Sequence, residues 1–307
     1  MSIKDKKYIS ATIIFFTLNI LTGKSISIIS NYGYIAKQQN NLFLISLMFI
    51  GIIIIPVILI TIIFAYKYNK SLKNLYTPEW DKSIILEVLI WIVPSFIILV
   101  LSTVTFTSTK LLDPYNEFNY LDNKKKNSLY KTDPIVIEVI SLDWKWLFIY
   151  PKYGFASLNE ISLPVNKPIK FKLTSSSVMN SFNIPGIIGQ IYIMSGMQTV
   201  LNCVINYCDT YYGFSSNYSG SGFSGMKFKL HTLNIKNFQK LINRFVLSNR
   251  YLSKKEYLNI ENPCEIFYNY DYYSTLPNIF NMILNRCVEN NSICMNNIMK
   301  IDVSKKI

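Results

Sequence analysis

One histidine, His231, stands in a chain of 307 residues. That scarcity excludes the common histidine-containing metal centres and nucleophile–histidine couples, which a single imidazole cannot build without distant partners. The sequence also lacks a hydrolase elbow, a phosphate loop and zinc-ligand spacing, so the chain is read as not catalytic by itself. Cysteine is scarce too. The five, Cys203, Cys208, Cys264, Cys287 and Cys294, are odd in number and give no closed disulfide framework, although an oxidising compartment permits a bridge. Cys203 and Cys208 are close enough in sequence to pair, but on one strand they face opposite sides. Buried thiols are the default expectation.

Positive charge, by contrast, is abundant: the net charge is +13. The lysines are scattered among Ile, Asn, Tyr and Phe, residues that share AT-rich codons with Lys. The excess therefore reads as compositional bias, and no nucleic acid partner is expected.

Half of the residues are hydrophobic, and they are unevenly placed. The stretches 42–66 and 84–107 are each long enough, at about 1.5 Å per residue, to cross a hydrocarbon core of about 30 Å. Pro56 in the first is tolerable where neighbouring helices resatisfy the freed carbonyl. A transmembrane helical hairpin over 42–107 follows, with the lipid bilayer as its first partner. Lys67, Lys70, Lys73 and Lys82 surround the connection and place it in the cytoplasm, although Lys110 and the run Lys124 to Lys126 weaken the contrast. At the N-terminus, segment 1–24 reads as a secretory signal, with Lys4, Lys6 and Lys7 before an apolar run from Ile9 to Leu21. Cleavage and retention both stand; retention is favoured, because no small-x-small site follows.

After a linker at 108–133, the pattern changes to short alternating segments bounded by Pro, Gly, Asn and Ser. Ile169, Phe171 and Leu173 alternate with Lys170 and Lys172. Met226, Phe228 and Leu230 alternate with Lys227, Lys229 and His231, which puts Met226 on the core side of a strand and His231 on the solvent side. Region 134–233 reads as a β-sandwich or Greek-key barrel. Region 234–307 reads as a helical extension, with helices from Lys236 to Ser248 and from Leu276 to Val288, the second opening on Pro277.

Two segments carry a resemblance, VMNSFNIP from Val178 to Pro185 and YGFSSNYSGSGFSGM from Tyr212 to Met226. Both resemble subunit II of the haem-copper oxidases, in the branch of the cytochrome bo-type ubiquinol oxidases. The implied fold is a membrane hairpin plus an all-β cupredoxin-like barrel with a helical C-terminal extension. In the cytochrome c branch these segments hold a copper centre. The matching positions here are Asn180, Ser215, Asn217, Ser219, Phe223 and Met226, and only Met226 keeps a ligand type. No metal is expected in this chain. Ser215, Asn217 and Ser219 can hydrogen-bond across the loop in place of metal bonds, Phe223 can fill imidazole space, and Gly213, Gly220, Gly222 and Gly225 can keep the sharp backbone path. The family's lipobox cysteine is absent, since Lys24 follows Leu21, Thr22 and Gly23.

The resemblance implies a subunit of a proton-pumping ubiquinol oxidase that reduces oxygen to water. Haem b, haem o and copper are then expected in subunit I, ubiquinol is the substrate of the complex, and this chain binds no cofactor. Its partners are subunit I and further small membrane subunits. It is placed in the bacterial inner (plasma) membrane as a multi-pass protein with a periplasmic C-terminal domain. Glu87, in the pattern made with Trp91 and Pro94, is the candidate for proton uptake by resemblance. The other reading of Glu87 is a carboxylate near the end of its span that reaches headgroup water. Trp144 and Trp146, in SLDWKWLFIYP, are read as residues of one strand face that serve packing and subunit contact. A membrane-tethered binding module on the same fold is the rival from another class.

Overall fold

The computed structural model describes residues 32–68, 82–115, 133–245, 250–264, 270–272, 274–289 and 292–305. Segment 1–24, Lys70, Lys73 and the run Lys124 to Lys126 lie outside the described residues.

Helices α1 (Tyr34–Lys67) and α2 (Ile84–Leu111) form the hairpin. Almost none of either apolar stretch is buried within the chain, and helices apolar on every face and uncovered by protein need an apolar solvent. Partly shielded positions recur in steps of three and four, at Leu42, Ser46, Phe49 and Ile53 on α1 and at Pro94, Ile97, Leu101, Val104 and Ser108 on α2. That is the spacing of a coiled-coil seam. It covers only half of each helix; residues 54–68 and 84–93 are exposed on all sides.

Helix α1 starts at Tyr34 rather than at Leu42. Its first turns carry Lys37, Gln38, Gln39 and Asn40, too polar for hydrocarbon, and they are helical because they dock on the β-domain. The N–H groups of Tyr32 and Gly33 both donate to the Gly186 carbonyl, at 2.9 and 3.0 Å, and Asn206 N donates to Tyr32 O at 3.3 Å. Only glycine fits at position 33, where a Cβ would lie 2.1 Å from the Ile187 carbonyl oxygen. At the other end of the hairpin, the Asn202 amide donates to Pro114 O at 3.1 Å. Both outer ends of the hairpin thus meet the β-domain.

That domain has ten strands: β1 (Ile135–Leu142), β2 (Lys145–Tyr150), β3 (Phe155–Leu158), β4 (Glu160–Pro164), β5 (Pro168–Ser175), β6 (Asn180–Ile184), β7 (Ile188–Ile193), β8 (Thr199–Val204), β9 (Thr210–Ser215) and β10 (Lys227–Leu233). Strands β3, β2, β1, β5 and β8 make one sheet, β4, β10, β9, β6 and β7 the other. Parallel pairings of β1 with β5 and of β10 with β4 supply the crossovers. Between the sheets lies a core that includes Ile137, Val139, Trp146, Phe148, Phe171, Phe182, Phe228 and Leu230.

The C-terminal region is helical, with four short helices among its described residues where two longer ones were expected. Helix α3 (Ile235–Phe245) matches the first predicted helix, and α4 (Lys254–Glu261), α5 (Ile279–Leu284) and α6 (Met295–Lys305) follow. Helix α5 is confined within the predicted 276–288 because Asn278 and Arg286, at φ 61° and 52°, bound it in the left-handed region; Pro277 precedes it. The extension also adds an edge strand, β12 (Tyr270–Tyr272), to the first sheet and pairs β11 (Tyr251–Leu252) with β13 (Ser274–Thr275). It buries the outer face of that sheet: Ile140, Leu142, Leu147 and Ile149 pack with Leu252, Tyr257, Phe280 and Ile283. The chain holds one disulfide among its described residues, Cys287–Cys294, and Cys208 is exposed rather than buried. Cys203 is a buried thiol, raised in pKa by that burial.

Within the extension, Tyr257 of α4 donates its hydroxyl to Glu261 Oε1 at 3.1 Å. Burial raises the Glu261 pKa above its ordinary 4.5; the Tyr257 hydrogen bond opposes the rise, and Glu289 and Asp143 add to it. The folded state therefore holds this proton more tightly than the unfolded chain, and stability falls as pH rises through the raised folded value. Glu261→Gln keeps an acceptor for Tyr257 and removes that loss. The variant is expected to melt higher than the parent at pH 7, with the gap closing towards about pH 4, in thermal unfolding followed across that range.

Candidate functional site

The start of β6 and the end of β9 lie side by side, and the loop after β9 closes through a 3-10 turn over Ser221–Gly225. At its centre the Ser215 hydroxyl donates to Asn180 Oδ1 at 3.0 Å and lies 3.2 Å from Asn217 O. Ser181 N donates to Ser215 Oγ at 3.4 Å. The Asn217 amide reaches Met179 O at 3.0 Å, and Ser219 Oγ lies 3.9 Å from Met226 Sδ. Asn180, Ser215 and Met226 are buried, at 0, 3 and 1 % exposure. Ser215 thus links Asn180 to the Asn217 carbonyl, and Ser219 separately meets Met226, all through neutral groups. Neutral donors and acceptors that satisfy one another avoid the desolvation cost that an unpaired charge would carry there.

Phe223 departs from expectation. It is half-buried and packs edge to face on exposed Tyr218, centroids 5.6 Å apart, so the apolar filling of the interior comes from Met226. Among the described residues no group of three or more His, Cys, Asp or Glu could hold a metal ion.

Trp144 and Trp146 do not share a strand face. Leu142 pairs with Lys145, so Asp143 and Trp144 form a two-residue turn, with Trp144 at φ 61°. Its indole lies on the loop: Nε1 donates to Ser219 O at 3.0 Å, and a Cβ on Gly222 would meet Trp144 Cδ2 at 2.4 Å. Gly220 has φ 112° and also faces this ring. Gly213 serves close approach, since a Cβ there would stand 2.0 Å from Phe228 Cζ. Trp146, with no exposed surface, packs against Phe182 and Phe228 at 5.4 Å each. It belongs to the interior, which leaves only Trp144 able to meet another subunit.

Glu87 lies in the first turn of α2, exposed, in the half of the hairpin outside the seam. At about 1.5 Å per residue it is more than 30 Å from the domain end of that helix. His231 is not a bare surface imidazole: its Nε2 pairs with Glu160 Oε1 at 2.5 Å and its Nδ1 meets Thr210 Oγ1 at 3.1 Å. Both ring nitrogens are thus engaged between strands.

Sequence reading missed Lys145. This lysine is 5 % exposed and donates to Ile260 O and Asn262 O, both at 2.7 Å, at the C-terminal end of α4. Burial lowers its pKa, against Cys264 and Asp143. Its place between two tryptophans in a strand that is otherwise apolar was the available signal.

Fold and site together define a membrane-anchored cupredoxin-like subunit whose loop after β9 is closed by hydrogen bonds. No family model matches the chain. Cytochrome bo(3) ubiquinol oxidase subunit 2 of Pseudomonas putida is 42% identical over 252 residues, covering 82% of this chain and 77% of that one. The protein of the same name from Buchnera aphidicola subsp. Schizaphis graminum is 40% identical over 296 residues, 95% of this chain and 99% of that one. Among solved structures, the periplasmic domain of subunit II of cytochrome oxidase of Bradyrhizobium japonicum is 22% identical, covers 37% of this chain and 94% of that one, and has a TM-score of 0.35. The chain belongs to the cytochrome bo(3) ubiquinol oxidase subunit 2 family.

The buried Ser215 hydroxyl is the hinge of the closed loop. Ser215→Ala strands the Asn180 carbonyl oxygen and is expected to cost about 1–3 kcal/mol, against about 0.5–1.5 kcal/mol for the more exposed Asn217→Ala, measured by denaturant unfolding of the detergent-solubilised chain.

Proposed function

We propose that this chain is subunit II of a proton-pumping ubiquinol oxidase, which couples ubiquinol oxidation to the reduction of oxygen to water. The observation that carries this reading is a likeness running over nearly the full length of a named ubiquinol oxidase subunit, together with a metal loop whose aligned positions are Asn, Ser, Phe and Met. Electrons from ubiquinol would then bypass this chain. Haem b, haem o and copper are assigned to subunit I, and the present chain binds that subunit and the small membrane subunits through its hairpin and domain.

The complex is placed in the inner membrane, with the β-domain on the periplasmic side and Lys67 and Lys82 at the cytoplasmic end. Supporting this, the loop end of the hairpin is far from the domain, and both outer ends are tied to it. On this placement Glu87 lies close to the cytoplasmic surface. Its carboxylate can take protons from headgroup water and pass them to subunit I.

The donor is tested by isolating the chain from native membranes and following oxygen consumption. Activity with ubiquinol and none with reduced cytochrome c is expected. Activity with cytochrome c would refute the copper-free reading, and an intact preparation without haem would favour a tethered binding module.

Glu87→Ala is expected to slow proton uptake and turnover together. The loss should fall short of the roughly 100-fold that a well-positioned proton-transfer group contributes, because headgroup water offers a slower route. Unchanged turnover and uptake in reconstituted vesicles would leave Glu87 as a carboxylate of the membrane surface.

A further inference from the structure

The end of the sandwich that carries the closed metal loop is gripped from outside by the C-terminal extension at three places. First, Lys145 reaches out from the β1–β2 turn and caps α4, with both bonds at 2.7 Å. The preceding residue, Trp144, holds a left-handed backbone that disfavours a non-glycine residue, and its indole is bonded to the loop at Ser219 O. One turn thus faces the loop with Trp144 and the extension with Lys145.

Second, Arg286 Nε donates to Ser195 Oγ at 2.8 Å, and the Ser195 hydroxyl donates on to Ser176 O at 3.2 Å. Ser176 opens the segment whose Met179 carbonyl accepts from Asn217. Third, Met295 Sδ stands 3.3 Å from where a Cβ on Gly196 would be, in the segment that follows Ile193, the partner of Asn180. The Cys287–Cys294 disulfide and the bond from Met295 N to Asn285 O at 2.9 Å close the short stretch that carries Arg286 and Met295. The three grips therefore meet two segments, the start of β2 at Lys145 and the stretch Ser195–Gly196, and each is tied to the closed loop or its strand partner, the first through Trp144 and the second through Ser176 and Ile193.

We propose that the C-terminal extension is the organiser of this loop, holding from outside the arrangement that metal bonds would hold from within. Lys145 and Arg286 are its positioning residues, and the disulfide keeps the second and third grips in register. This is independent of which donor the complex uses.

The test is hydrogen exchange, read by mass spectrometry, on the detergent-purified full chain. It compares the parent with Lys145→Met, Arg286→Gln and the Cys287→Ser/Cys294→Ser pair. Release of a charge-assisted grip is expected to speed amide exchange in 213–226 by about tenfold, with the remote strand 160–164 unchanged. Arg286 is exposed, so its variant keeps the fold even where Lys145→Met does not. Faster exchange in 254–261 and 279–284 with 213–226 unaltered in Arg286→Gln and the cysteine pair would overturn the proposal, leaving the extension as a cover for the outer sheet face.

Discussion

Every residue of β2 is buried, because its sheet is covered on both faces. Trp146, Phe148 and Tyr150 point into the sandwich, while Leu147 and Ile149 point out beneath the extension. A strand of period two can serve two cores at once only if its register is fixed, since a slip of one residue exchanges the two sets. The turn at Asp143 and Trp144 sets that register, so the strained Trp144 backbone and the two bonds of Lys145 govern more than their own neighbourhood. The extension is consequently a second layer of the domain.

The loop after β9 has strand ends to hold together. An apolar plug would leave the backbone and side-chain polar groups around Asn180 without partners, each at a cost of about 1–3 kcal/mol. Short neutral side chains answer this better. Ser215 donates to Asn180 and accepts from Ser181 N, while Met226 supplies the apolar volume beneath. Such bonds are each weaker than a thiolate–metal bond, which is why the indole of Trp144 lying over Gly220 and Gly222 matters to the loop's shape.

Much of this was legible in the sequence. Aliphatic runs gave both spans, and alternation at Ile169 to Leu173 and Met226 to His231 located β5 and β10 on their correct faces. The failures have physical causes. The polar start of α1 is helical through docking, which no hydropathy pattern reveals. Trp144 and Trp146 were assigned one face because Asp-Trp carries none of the Asn-Gly or Asp-Gly signals of a two-residue hairpin turn. Helix α5 was overextended because left-handed Asn278 and Arg286 bound an otherwise continuous helical pattern. The Cys287–Cys294 pairing lay beyond sequence reasoning, since spacing alone does not determine connectivity. At the site, the resemblance pointed to a stretch where Asn180 and Ser215 do meet, whereas Lys145 left only its place among apolar neighbours as a signal, and Arg286 acts through a long-range contact that leaves no local pattern.

The junction between hairpin and domain discriminates between a scaffold and a tether. A binding module on a leash needs a flexible linker, whose reach grows with the square root of its length. Here α1 runs to Tyr34 and the next residues, Gly33 and Tyr32, already bond to Gly186. Pro114, just beyond α2, is held by Asn202. Two attachments separated in sequence fix orientation as well as distance, so the domain cannot swivel on the hairpin without breaking backbone bonds and moving Gly33 out of its contact with Ile187. The seam between α1 and α2 extends the same rigid arrangement into the span as far as Ile53 and Pro94, where the helices become exposed on every side. Rigidity on the domain side and uncovered apolar surface on the loop side are what a subunit needs if it must hold one fixed position against other helices. Glu87 sits in that uncovered half, where a carboxylate can meet a neighbouring helix or the surface water.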